Sequence, residues 1–188
     1  MHVLLINGSP HEKGCTYTAL SLVAGELNAA GITTEILNVG TKPVGGCIGC
    51  GGCAKGNGCV FGGVVNEAIE KARTADAFVF GTPVHYASAS GNMTSFMDRL
   101  AYAGGKYLAY KPAAVCCSAR RAGTTSTLDQ LVKYPQFFHM PLVNGSYWAM
   151  VHGSNPEQVL QDAEGCAVMQ ELGRNMAWLL HCLSLIHI

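Results

Sequence analysis

Four cysteines in a short glycine-rich segment are the residues of this chain best suited to chemistry. They follow the spacing Cys-x2-Cys-x2-Cys-x5-Cys and are Cys47, Cys50, Cys53 and Cys59. Overlapping x2 spacings are typical of [4Fe–4S] ligands, whereas structural zinc sites favour two separated pairs of ligands. Nearby glycines let the backbone wrap closely around such a group. The pattern predicts a metal cluster, and the alternatives are a zinc site, a metal-free loop or redox-responsive disulfides.

A second candidate site lies at the N-terminus, where the apolar run 3–6 ends in a loop of small and hydroxyl residues over 7–18. Apolar residues then recur with helical spacing, which predicts a strand, a tight loop and a helix. N–H groups at the start of the helix, beside the hydroxyls of Ser9, Thr16 and Thr18, would cradle a phosphate. The loop lacks the signatures of nucleotide-triphosphate and dinucleotide loops. A small phosphate monoester such as that of FMN fits, and the alternative is an ordinary capped turn.

The loop 82–91 follows a buried strand and carries Pro83, Val84, His85 and Tyr86. An aromatic residue, a proline and small neighbours would form a flat slot for a planar ring. His85 is placed to donate a hydrogen bond or a proton there. The alternative is a surface turn.

The polar loop 118–125 concentrates two of the few cations of the chain, Arg120 and Arg121, between Ser118 and Gly123. A cation or N–H group near the pyrimidine edge of a flavin stabilises the anionic reduced ring. The same loop could instead contact a nicotinamide phosphate. The alternative is a solvated loop with two ordinary arginines.

Alternating strand and helix patterns place these loops in one architecture. Strands are predicted at the N-terminal run and at 32–39, 75–81, 113–117 and 141–147, with a helix after each. Pro135 is expected to end the fourth helix, and a single last helix is expected to begin after Asn155. Asp98 and Arg99, on the third helix, predict an ion pair or an interface pair. This order is typical of a doubly wound, five-stranded parallel sheet in three α/β/α layers, with ligands at the carboxyl ends of the strands.

Length and composition predict one domain over residues 1–181, with a cysteine-rich insertion at 40–63 and an uncertain tail at 182–188. Charged residues make up only 13% of the 188 residues, and the formal net charge is +0. Without a basic stripe, nucleic acid and anionic membranes are poor partners. The low charge favours self-association, so we expect a homodimer or homotetramer. With no visible export signal or bilayer-length segment, the expected location is the cytoplasm, where thiols stay reduced.

Together these segments resemble the NADPH-dependent FMN reductases and iron–sulfur flavoproteins, which have a flavodoxin-like fold. The resemblance is carried by Asn-Gly-Ser-Pro at 7–10, Gly-Cys-Thr at 14–16, Pro-Val-His-Tyr at 83–86, Ser-Phe-Met-Asp-Arg at 95–99 and the cysteine quartet. It implies that the FMN phosphate is held by Ser9, His11, Cys15, Thr16, Tyr17 and Thr18. It implies that the isoalloxazine ring is held by Pro83, Val84, His85 and Tyr86. Many relatives have Arg or Lys in place of His11 and Asn in place of Cys15.

The resemblance implies an FMN-dependent oxidoreductase. Electrons would pass from NAD(P)H or a reduced partner to a quinone, a flavin, another small acceptor or a ferredoxin-like partner, with a [4Fe–4S] cluster as a relay. The chemistry is centred on the flavin, so no catalytic side chain is expected, although His85 is a possible proton donor. The alternatives are a flavodoxin-like electron carrier without its own substrate and a metal-binding regulatory module without flavin.

Overall fold

Strands and helices alternate along the chain in a computed structural model, which describes residues 1–56 and 58–186. The strands are β1 (His2–Asn7), β2 (Thr33–Asn38), β3 (Ala77–His85), β4 (Ser88–Ala89), β5 (Ala113–Ala119) and β6 (Met150–His152). The α-helices are α1 (Cys15–Ala29), α2 (Val64–Thr74), α3 (Gly91–Gly104), α4 (Thr124–Phe137), α5 (Pro156–Gln161) and α6 (Ala163–Ile186). Short 3-10 turns span Gly52–Lys55 and Gly105–Tyr107.

The sheet has the strand order β2-β1-β3-β5-β6, and these five strands are parallel. The short β4 pairs antiparallel with the end of β3 and lies off this path. Strand order reverses between β1 and β3, which makes their carboxyl ends the switch point where open α/β sheets bind ligands. The predicted doubly wound fold is confirmed, and β4 is an addition to the five predicted strands.

Alternating side chains of the central strands build a core on each face of the sheet. Leu4, Ile6 and Phe80 pack with helices α2, α3 and α4. Val3 and Leu5 point to the other face and pack with α1 and α6. Because both faces are covered, the central strands β1, β3 and β5 are apolar along most of their length, as is typical of parallel sheets. The two cores hold the carboxyl ends of the strands in a fixed arrangement.

The prediction of a loop at 82–91 is wrong in part. Strand β3 continues to His85, and the chain then turns back and forms β4. The predicted last strand at 141–147 is also misplaced. Leu142 forms only an isolated bridge with Ala113, and the paired strand is β6. Asn144-Gly145-Ser146 is a turn signal that takes the chain away from the sheet edge before β6 begins.

Two helix boundaries differ from the prediction. Pro135 lies inside α4, which ends two residues later, because a proline near a helix end removes only one hydrogen bond. The predicted last helix is split at Asp162, whose carboxylate accepts a hydrogen bond from the Gly165 N–H at 3.0 Å. Helix α6 then runs to Ile186, past the expected domain end at 181; 187–188 lie outside the described residues. Among the helices described, none is long and apolar enough to cross a membrane.

Candidate functional site

A crevice opens at the switch point between β1 and β3. Its wall is formed by the first loop, the end of β3 and the start of α3, and it encloses a cavity of about 380 Å³ lined by Gly8, Pro10, Val44, His85, Ser90 and Asn92, among others. The Ser90 hydroxyl donates to the Gly8 carbonyl at 2.8 Å, which joins the two sides of the crevice. The structure therefore brings the first loop and the 82–91 segment together, as the prediction requires.

Asn7, at the end of β1, fixes the first loop. Its fully buried side chain accepts a hydrogen bond from the Ser9 N–H at 3.1 Å and donates to Asn38 at 2.8 Å and to the Glu12 carbonyl at 3.2 Å. Ser9 is also buried, and its hydroxyl accepts from the N–H of the exposed His11 at 3.1 Å. The loop is thus held in one conformation by side chains of its own strand edge.

Helix α1 begins without a side-chain cap. Gly14 occupies the N-cap position, and the first turn carries no acidic residue. Unfilled N–H groups at a helix N-terminus and the positive end of the helix dipole together favour an anion. The buried Thr16 hydroxyl lies 2.8 Å from the Ser118 hydroxyl, at the end of β5. This contact brings the third predicted loop to the same edge.

Other members of the predicted phosphate set have different surroundings. The Cys15 thiol donates to the Gly153 carbonyl at 3.5 Å, and burial raises the pKa of Cys15, so it is a neutral packing group. The Thr18 hydroxyl donates back to the Gly14 carbonyl at 3.2 Å. Tyr17 lines a separate groove of about 540 Å³ between α1 and β2. Of this set, the structure therefore brings Ser9 and Thr16 closest to the other predicted loops.

The 82–91 segment is a tight hairpin whose tip is Tyr86-Ala87. Both residues have positive φ, 51° and 59°, as the type I′ turn requires. Glycine or asparagine is preferred at such positions, and other residues are strained there. Pro83 and Val84 are half-buried at its base, while His85 and Tyr86 are exposed.

Helix α4 holds this hairpin rigidly. The Gln130 side-chain oxygen accepts from the Ser88 hydroxyl at 2.7 Å and from the Ala89 N–H at 2.9 Å. The Ser126 hydroxyl donates to the Ala87 carbonyl at 2.7 Å. Gly123 has a φ of 91°, and a Cβ there would lie 2.7 Å from the Ala87 Cα. These contacts keep the strained tip in place, and Gln130 was not among the predicted site residues.

We expect Ala87→Gly to stabilise the protein, since glycine adopts positive φ without steric cost. The free energy of unfolding should rise by about 0.5–1 kcal/mol, part of the strain being offset by the greater freedom of glycine in the unfolded chain. Urea denaturation measures the change, with Ala109→Gly, on a half-buried residue without positive φ, as the control that should not stabilise. Equal effects of both variants would contradict the strained turn.

The loop after β5 has a buried base and an exposed tip. Ser118 is buried, whereas Arg120 and Arg121 are exposed. Neither arginine takes part in the ion pairs formed within 1–56 and 58–186. Two unengaged positive charges therefore lie at the carboxyl edge of the sheet.

The four motif cysteines line a single cavity of about 240 Å³ between α3 and the segment 47–61. Cys47 and Cys50 are exposed, and Cys53 and Cys59 are partly buried. In the part of the chain that is described, no three Cys, His, Asp or Glu side chains converge as ligands of one metal ion. The four thiols therefore surround one cavity, but they are not arranged as ligands of a single metal ion.

Two asparagines fasten the ends of this cysteine loop. The Asn92 side chain accepts from the Val44 N–H at 3.1 Å and donates to the Gly40 carbonyl at 2.9 Å. Asn66 accepts from the Cys59 N–H at 2.8 Å and donates to the Cys59 carbonyl at 3.0 Å. The loop therefore begins at the switch-point crevice and ends against α2.

Arg99 reaches from α3 into the cysteine loop and is 94% buried, with a relative exposure of 6%. Its guanidinium donates to the Cys59 sulfur at 3.2 Å and to the carbonyls of Gly45 at 3.3 Å and Gly62 at 3.0 Å. Asp98 instead accepts from the Tyr134 hydroxyl at 2.6 Å, so the predicted ion pair between Asp98 and Arg99 is wrong, and the alternative of an interface pair stays a prediction. The contacts of Asn92 and Arg99 were not predicted. The sequence signal for them is the helical spacing of Asn92, Ser95 and Arg99, which places these polar residues on one face of α3.

The fold defines a flavodoxin-like α/β protein, and the crevice lies at its β1/β3 switch point, where such sheets bind ligands. The model of the family described as NADPH-dependent FMN reductase matches residues 1–155. The chain belongs to this family of FMN-dependent oxidoreductases, which confirms the resemblance seen in its motifs.

Individual relatives and solved structures are similar to this chain. The chain is 27% identical over 185 residues to an iron–sulfur flavoprotein of Methanocaldococcus jannaschii, covering 94% of this chain and 96% of the relative. RosB, solved with bound 8-demethyl-8-formylriboflavin-5'-phosphate, has a TM-score of 0.76 at 14% identity, covering 98% of this chain and 80% of RosB. An archaeal flavodoxin has a TM-score of 0.63 at 12% identity, and the match covers 96% of this chain and 99% of the flavodoxin. The two solved structures establish the similarity of fold.

Proposed function

We propose that this protein binds FMN at the switch-point crevice and passes electrons from NAD(P)H or a reduced partner to a quinone, a flavin or another small acceptor. The observation that carries the proposal is the uncapped start of α1 beside the buried Thr16–Ser118 hydroxyl pair. A phosphate group would satisfy the N–H groups of the first turn.

Residues of the loops around the crevice would hold FMN in two parts. Ser9 and Thr16, with the N–H groups at residues 15–17, would hold the phosphate, and the exposed His11 lies beside that loop. The ring would rest against the hairpin residues Pro83, Val84, His85 and Tyr86, with Ser118, Arg120 and Gly123 near its polar edge. FMN, when bound, supplies the capacity to accept a hydride and to release electrons one at a time.

The protein residues position the reactants and shape the local charge. The rigid hairpin on α4 would fix the ring plane, and the arginine pair would place positive charge near the polar edge of the ring. No side-chain nucleophile is required, and His85 is the exposed group able to donate a proton. A reducing compartment such as the cytoplasm would keep the cysteine thiols reduced.

We further propose that Cys47, Cys50, Cys53 and Cys59 hold a [4Fe–4S] cluster. All four thiols line one cavity without converging on a single point. A four-iron cluster offers one iron to each thiolate, whereas tetrahedral zinc requires four sulfurs around one ion. The donor set therefore fits the cluster better than it fits zinc, and a ferredoxin-like partner becomes a suitable single-electron donor or acceptor.

Anaerobic turnover tests the oxidoreductase proposal. Protein loaded with FMN is mixed with NADPH or NADH and then with a quinone, and nicotinamide oxidation is compared with that caused by an equal amount of free FMN. We expect turnover well above the free-flavin rate. FMN binding without turnover by either nicotinamide, combined with reduction by a ferredoxin-like donor but no transfer of electrons to the quinone, would indicate the electron-carrier alternative.

The same samples address the remaining proposals. A homodimer or homotetramer is expected by light scattering, since the neutral, weakly charged surface favours self-association. Protein that binds no FMN on reconstitution would reject both the oxidoreductase and the carrier.

A further inference from the structure

Arg99 is a buried cation with no carboxylate partner among the described residues. Its guanidinium is bonded to two backbone carbonyls and one thiol, and no ion pair formed within 1–56 and 58–186 includes it. Burying a charge is costly unless an opposite charge compensates it. The neighbouring Asp98 does not supply this opposite charge, because its carboxylate accepts a hydrogen bond from the Tyr134 hydroxyl instead. Arg99 lines the same cavity as the four motif cysteines, so a negative charge held there would compensate the guanidinium.

The same side chain spans the cysteine loop. Gly45 lies before the first motif cysteine and Gly62 after the last, so one guanidinium fork ties both arms of the loop to α3. The centroid of the Phe61 ring lies 5.3 Å from the guanidinium carbon, within the range of a cation–π contact. Arg99 is therefore placed both to shape the loop and to act on the cavity electrostatically.

We propose that Arg99 is a positioning residue that closes the cysteine loop and supplies the counter-charge for the anionic group held by the four cysteines. This inference rests on the proposed cluster. Ligating cysteines bind as thiolates, so a site with four of them carries net negative charge. A buried cation that donates to one of the sulfurs stabilises that charge, and stabilises it more after an electron is added.

The inference predicts two separable effects. Loss of the positive charge should make the cluster harder to reduce, because net charge and hydrogen bonds to sulfur set the potential. Loss of the fork should free the two arms of the loop and speed the loss of iron. Arg99→Gln removes both the charge and the fork, whereas Arg99→Lys keeps the charge and loses the fork.

The test uses anaerobically reconstituted full-length protein loaded with FMN, iron and sulfide. The two measurements are the rate of iron loss to a chelator and the midpoint potential of the cluster. For Arg99→Gln we expect at least a tenfold faster loss of iron and a more negative potential. For Arg99→Lys we expect faster loss of iron with a potential near that of the wild type. Arg174→Gln, on an exposed arginine of α6, is the matched control and should change neither measurement.

The outcomes are distinguishable. FMN content and circular dichroism show whether each variant is folded. Arg99→Gln with the wild-type rate and potential would overturn the inference, and so would a potential shifted equally in both variants, because the charge would then have no role. Wild-type protein that takes up no iron would instead overturn the proposed cluster.

Discussion

Gly40→Ala is expected to weaken FMN binding by at least about tenfold, which corresponds to about 1.4 kcal/mol. Gly40 is buried where the chain leaves β2 and crosses the first loop. A Cβ there would lie 2.5 Å from the carbonyl carbon of Ser9 and closer still to the carbonyl oxygens of Gly8 and Ser9. Because these neighbours are backbone atoms, the first loop itself must shift. Overpacking of this kind costs about 1–3 kcal/mol of stability.

Fluorescence titration with FMN and with riboflavin measures the effect. Since the shift begins at the phosphate loop, the affinity for FMN should fall more than the affinity for riboflavin. Gly25→Ala is the matched control, because Gly25 is exposed on α1 and a Cβ there meets nothing within 4 Å. That variant should bind FMN normally and gain about 0.5–1 kcal/mol of stability. An unchanged ratio of FMN to riboflavin affinity in Gly40→Ala would place the phosphate elsewhere.

Replacing Cys47 and Cys50 together by serine is expected to abolish the bound iron and leave the flavin in place. Both thiols are exposed, so serine should cost little folding stability, and a hydroxyl is a poor ligand for the cluster. Iron should fall from about four atoms per chain to fewer than about one. FMN content should stay at the wild-type level, because the phosphate loop and the hairpin lie outside the cysteine loop.

Iron and sulfide assays after anaerobic reconstitution provide the measurement. The matched control is Cys182→Ser, which changes a partly buried cysteine of α6 away from the cavity. Cys117 is unsuitable as a control, since burial raises its pKa to about 12 and a serine there would be enclosed in the core. If the double variant kept the wild-type iron content, the four-cysteine site would be wrong.

The fold could be predicted from the sequence because its strands and helices follow local patterns of apolar residues that repeat along the chain. Continuous apolar runs identified β1, β3 and β5, and helical spacing identified the helices between them. The misplaced last strand shows the limit of such patterns, since the apolar segment Pro141–Val143 forms only the bridge at Leu142, and the chain bends at 146–147 before β6 begins. The hairpin at Tyr86 was missed because neither of its tip residues is a glycine or an asparagine, the usual signal for this turn.

The site could be predicted only in part, for a different physical reason. Residue type and spacing were enough to identify Ser9, Thr16 and the four motif cysteines as candidate site residues. Arg99, Asn92 and Gln130 act across long sequence separations, and their roles depend on which loop each helix packs against. Arg99 beside Asp98 suggested an ion pair of neighbours, yet consecutive residues of a helix do not face each other. Long-range contacts of this kind emerge only from the packed structure.

The absorption spectrum of anaerobically purified protein, before and after dithionite, is the most direct test of a flavin and a cluster in this chain. Iron and sulfide are assayed on the same sample. We expect two-banded flavin absorption, a broad shoulder that bleaches on reduction, and about four irons per chain. Flavin bands without iron would contradict the cluster and reduce the cysteine loop to a structural or redox element. Protein that shows no flavin bands even after reconstitution with FMN would contradict the proposed function as a whole.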